Sequence, residues 1–289
     1  MKRIYCTSAL ILSLLLGAAR AVDLIWNTDA ETGFLRSGSI LPRYLLMLLC
    51  VLLILLAARC IPLGQPCGVR PKSAAWMRKS NFLLIPLAFC SELYGLLFLL
   101  NRFFGLPIQG TASRHAMDNL TLYYLRQFAD GARAALFVVF GVWCLLLFFE
   151  NLTCMPCGRW MLTLGTLSST VFYLQTVLRF IERPSSLYRI IPAVDILAAL
   201  TALLFVTALL RALYLPDSPH AARVLCRSGL LAFFFCTCLA LPQTLWQYAM
   251  QTETTVSLIL AAGFGCLGLV GAACAGSAAN WPGASEGTD

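Results

Sequence analysis

The sequence predicts an all-α polytopic membrane protein, a bundle of eight transmembrane helices in two parallel four-helix repeats. Three observations predict it: the scarcity of charge, the places where charge falls, and punctuation that recurs in the same order in both halves. Of 289 residues, 60% are hydrophobic and 12% charged, about half the ~25% charge of a soluble domain. Eight stretches hold no charged residue or one: 4–19, 44–58, 80–101, 134–149, 160–178, 190–210, 228–252 and 254–285. A helix needs about 20 apolar residues to cross a hydrocarbon layer of roughly 30 Å. The shorter stretches reach that length once arginines at their ends extend to the headgroups.

The first stretch begins after Lys2 and Arg3 and ends at Ala19-Arg20-Ala21, the outline of a cleavable secretory signal. Apolar character resumes through Val22, Leu24, Ile25 and Trp26, so the segment is read as a retained first helix. Ile40-Leu41-Pro42 opens the second helix and Ile190-Ile191-Pro192 the sixth. Proline suits a first helical turn, where its missing N–H costs nothing. The second helix closes at Arg59 before Pro62 and the sixth at Arg211 before Pro216; the third opens after Arg78-Lys79 and the seventh after Arg227. An even number of helices per repeat makes the two halves parallel. The expected division is a first repeat over 1–152, a second over 153–280, and a polar tail at 281–289.

The connection at 102–132 is the longest. Met117, Leu120, Tyr124 and Phe128 recur in it at helical spacing, with Arg114, Asp118, Arg126 and Asp130 pointing elsewhere. An amphipathic segment over 112–130, lying on the outer headgroup layer, is expected. Trp26, Trp246 and Tyr248 at one side, and Trp76, Trp160 and Tyr214 at the other, fit interfacial aromatic belts. In the eighth helix Ala261, Gly265, Gly268, Ala272 and Gly276 form a small-residue stripe suited to close helix packing.

Orientation comes from the lysines. All three (Lys2, Lys72 and Lys79) fall on one side, and the 59–79 connection is basic without an acid. That side is expected to be cytoplasmic, with both termini there and the protein in the cell membrane. The opposite loops contain none of the thirteen cysteines, as reduced thiols facing the cytoplasm require. Cys154-Met155-Pro156-Cys157 has metal-site spacing but lacks a recognised second pair, and is read as filler.

Inventory removes most catalytic classes. The two histidines, His115 and His220, fall on opposite sides of the membrane, and the chain has no HExxH, no phosphate-binding GxxxxGK[ST] and no strand-linked GxGxxG. No cofactor and no metal is expected. The net charge of +8 is scattered over short loops, so it argues for anionic lipid and not for nucleic acid.

The polar residues inside apolar stretches are the candidate site. Glu92 lies mid-stretch, with Ala88 and Gly95 on its helix face, and an intramembrane carboxylate is a functional candidate by default. Asp195 follows an outer-end proline. Gln243, Gln247 and Gln251 recur every four residues, as do Gln175, Arg179 and Arg183, and Pro242 can bend its helix open. The expected pocket is Glu92, Gln175, Arg179, Asp195, Gln243 and Gln247, open outward with Glu92 at its floor. The function this predicts is non-enzymatic: a transporter or channel for a small polar solute or ion. The alternative is a membrane sensor or scaffold that binds an extracellular ligand, a partner's transmembrane helices, or a second copy of the chain.

Overall fold

The computed structural model describes residues 2–29, 33–59, 81–104, 120–153, 160–182, 189–214 and 221–278. Among these residues the fold is helical, with a single isolated antiparallel bridge between Thr28 and Leu35. In order the helices are α1 (Lys2–Asn27), α2 (Leu41–Arg59), α3 (Asn81–Phe104), α4 (Leu120–Thr153), α5 (Trp160–Glu182), α6 (Ile190–Tyr214), α7 (Ala221–Ala232), a π-helical segment (Phe233–Ala240), α8 (Leu241–Ala249) and α9 (Thr255–Ala278). α7, the π-helical segment and α8 run on as one span, so eight helices are long and apolar enough to cross a membrane. The chain is a multi-pass membrane protein.

The seventh span is the hub. In its most apolar window 72% of residues are buried, against 17% for α2. The difference follows from packing: among the described residues the seventh span touches α1, α2, α6 and α9, whereas α2 packs mainly on α1 and α7. The outward face of α2 is a surface of leucines, including Leu45, Leu49, Leu52 and Leu56, which costs nothing where the surroundings are lipid tails.

Pro242 explains why this hub is not a plain α-helix. It has no N–H for the Cys238 carbonyl four residues earlier, and its ring would crowd that carbonyl. The chain responds with wider turns: Leu241 N–H bonds back to Cys236 O, five residues away. The released Cys238 carbonyl faces α1, where Gly17 comes so close that a Cβ would lie 2.7 Å from the oxygen. The first helix is thereby an integral part of the bundle and runs without a break through Ala19-Arg20-Ala21.

Three expectations change in detail. Residues 120–130 are the opening turns of the long α4, continuous with the fourth span, and not a separate segment; the rest of 112–130 lies outside the described residues. Trp246 is no interfacial anchor, because it packs with Leu24 and Ile191 in a small buried cluster. The small-residue face of α9 that meets a neighbour is Gly265, Gly268 and Gly271. A Cβ on Gly271 would sit 2.7 Å from Gly229 O of α7, whereas one on Gly276 would meet nothing within 4 Å.

α1 pairs with α2 as α5 does with α6, and α3 pairs with α4 as the seventh span does with α9. α6 packs closely on the seventh span, yet α2 and α3 are not close neighbours. Lys72, Lys79, Trp76, both histidines, Cys60, Cys67, Cys154, Cys157, Arg183 and the 281–289 tail all lie outside the described residues.

Candidate functional site

At the end of the bundle that carries residues 33–40, partly buried charged groups pair across helices. Asp23 of α1 is held by Arg20 of its own helix and Arg43 of α2, and Asn27 donates to it at 2.9 Å. Tyr44 Oη donates to Arg189 O at 3.5 Å, and the Arg189 guanidinium lies 4.3 Å from the Phe34 ring centre. These contacts tie α1, α2 and the start of α6 together.

Beside this frame a cleft opens between α5, α6, α8 and α9. Its cavity volume is about 30 Å³, room for about two waters. α5 contributes Gln175 and Arg179, α6 contributes Asp195, and α8 contributes Thr244 and Gln247. The turn into α9 adds Glu253, and Leu260 and Phe264 of α9 complete the apolar wall. The charged lining is one guanidinium and two carboxylates.

Local structure explains how these side chains arrive. A π turn advances each residue by less rotation than an α turn. The π-helical segment therefore resets the face that α8 presents, and Gln243, Thr244 and Gln247 are all buried. Gln243 Nε2 donates to Asp195 Oδ1 at 3.0 Å and to Ile191 O at 3.1 Å, which holds the carboxylate from behind. Gln243 Oε1 is buried without a partner. On the other wall Arg133 of α4 donates to Gln175 Oε1 at 3.2 Å while pairing with Asp130 at 2.9 Å. This orients the Gln175 amide so that Nε2 has no partner among the described residues. The side-chain amide of Gln247 likewise has none, although the residue is only 7% exposed. Neither amide is among the buried unpartnered atoms, so both reach the accessible surface of the cleft.

Four of the six expected residues, Gln175, Arg179, Asp195 and Gln247, line this one cleft, and Gln243 stands directly behind Asp195. Glu92 does not line it. It belongs to the α3–α4 contact, where the space beside Ala88 and Gly95 is filled by α4 and not by water. A Cβ on Gly95 would be 2.7 Å from Ala134 O, and one on Gly141 would be 2.5 Å from Glu92 Cγ. Gln251 lies in the turn after α8, exposed and with φ of 59°.

Sequence reasoning missed Arg133, Glu253 and Phe264. Arg133 looked like an ordinary charge at a span end, and Glu253 like a loop residue; only the approach of α4, α5 and α9 gives them a place.

A second, nearly filled gap, with a cavity volume of about 10 Å³, lies among α3, α4, α5 and α9. Its walls include Phe137, Phe140, Phe172 and Phe264, with Cys90 and Ser91. Phe264 and Leu260 line both cavities. Phe172 meets Phe264 edge to face with ring centres 5.7 Å apart. Among the described residues no group of three or more His, Cys, Asp or Glu is arranged to hold a metal ion.

Comparison with family models, curated proteins and solved structures finds no match to the chain.

Proposed function

We propose that the protein is a non-enzymatic transporter for a small polar solute, with the polar cleft as the mouth of the path and the aromatic cavity as its continuation. The observation that carries this reading is the shared wall at Phe264 and Leu260. With about 10 Å³ free, the second space admits a solute only when Phe264 or its neighbours move aside. Binding sites in helical bundles take this form, a concave and mostly apolar space with a few convergent polar groups.

The cleft end is taken as the outer face and both termini as cytoplasmic, from the sequence pattern that assigns the lysines to the side opposite the 23–42 connection. The pairing of α1 with α2 and of α5 with α6 supports an ancestral duplication over 1–152 and 153–280.

A second reading is favoured by the close Gly229–Gly271 contact, which packs the opposite end of the bundle tightly. A sensor needs that end shut, and it would bind solute in the cleft without passing it on. Proteoliposomes separate the readings. The purified protein is reconstituted and uptake of radiolabelled amines, amino acids and sugars is compared with empty vesicles. Transport predicts uptake of at least one class, lost on replacing Asp195 by Asn or Phe264 by Trp. Binding to the cleft without uptake of any class would overturn transport and leave the sensor.

A further inference from the structure

We infer that the solute is a small organic ammonium ion with an apolar body, a conclusion that rests on the cleft being a solute site. Two independent features point to it. The first is charge. The cleft lining holds Arg179, Asp195 and Glu253, a formal excess of one negative charge however these three pair. A monovalent cation neutralises that excess; an anion doubles it. A zwitterion leaves it unchanged.

The hydrogen-bonding groups fit the same chemistry. An ammonium group carries N–H donors and needs acceptors, and the side-chain amide of Gln247 lines the cleft together with the two carboxylates. Gln175 is 3% exposed, and its Nε2 is an open donor. It suits a hydroxyl or carbonyl elsewhere on the solute.

The second feature is the aromatic lining of the adjoining gap. Four phenylalanine rings surround it, and no charged side chain lines it. A bare inorganic cation would lose its hydration shell there with only Ser91 Oγ and a thiol in exchange. An ammonium ion with an apolar body is attracted to ring faces and releases less water. Phe264 belongs to both walls, so it meets the ammonium in the cleft and the apolar body at the threshold.

The test uses a matched series on the full-length protein in lipid nanodiscs: phenethylammonium, 3-phenylpropanoate, 2-phenylethanol, and sodium chloride at equal ionic strength, followed by calorimetry. The expected result is saturable binding of phenethylammonium alone. Its Kd should rise about tenfold or more in Asp195→Asn, Glu253→Gln and Phe264→Leu, a loss near one charged or cation–π contact. Each variant's melting temperature is checked for folding, and Phe103→Leu, on an exposed site outside the cleft, should bind as the unchanged protein does.

Binding of the acid or the alcohol as tight as that of the amine, abolished by the same substitutions, would overturn the ammonium assignment and leave the cleft as a solute site. A sodium chloride response equal to that of the amine would overturn the organic character. Binding of no member, or binding indifferent to all three substitutions, would overturn both the assignment and the cleft.

Discussion

Gly17 of α1 lies against the Cys238 carbonyl, closely enough that a Cβ there would be 2.7 Å from the oxygen. That carbonyl is the one Pro242 deprives of its helical partner. The contact joins a sequence feature of the seventh span, a proline in mid-membrane, to the docking of the first helix.

Gly17→Val is therefore expected to push α1 off the π-helical segment and lower stability by about 1–3 kcal/mol, the usual cost of overpacking. Gly271→Val should do the same through Gly229, whereas Gly276→Val should be nearly neutral. Unfolding in mixed micelles of increasing SDS fraction checks the order. A destabilised Gly276→Val beside a tolerated Gly271→Val would reverse the assignment of the α9 packing face.

The Gln243–Asp195 bond should show as a coupling. Gln243→Met and Asp195→Asn are each expected to destabilise, and the double mutant to lose less than their sum by about 0.6–1.7 kcal/mol, the range for interhelical hydrogen bonds in membranes. Additive losses would mean that the bond carries no net energy.

Glu92→Gln should leave solute binding unchanged, because Glu92 packs against Gly141 and does not line the cleft. Gly141→Val should instead separate α3 from α4 and reduce folded yield, since the Cβ position is already taken by the Glu92 side chain. The decisive readout is the Kd for whichever amine binds the unchanged protein; a tenfold change in Glu92→Gln would return the carboxylate to the site.

Single cysteines placed in a background stripped of native thiols check the orientation. A cysteine at Ser37 is expected to react with an impermeant maleimide added to intact cells, and one at Pro71 to react only after permeabilisation. The opposite pattern would invert the protein in the membrane and turn the cleft toward the cytoplasm.

The number of spans was legible from the amino-acid order, because exclusion of charge from hydrocarbon acts residue by residue and leaves gaps that can be counted along the chain. The same logic marked Gln175, Arg179, Asp195, Gln243 and Gln247, since a polar group in an apolar stretch needs a partner or a cavity. Which of the two it has depends on the helix opposite. Glu92 carried the strongest one-dimensional signal and yet packs against Gly141 on α4, because a small residue about fifty positions away lets the helices close over it. Arg133, Glu253 and Phe264 carried weak signals and line or orient the cleft, because α4, α5 and α9 converge there. Apolarity is a property of each segment alone and decides where the chain crosses the membrane. Helix contacts are set by the fit of small and large side chains between distant segments, and by the π turns that Pro242 imposes, so the tertiary structure alone decided which polar residues share a cavity.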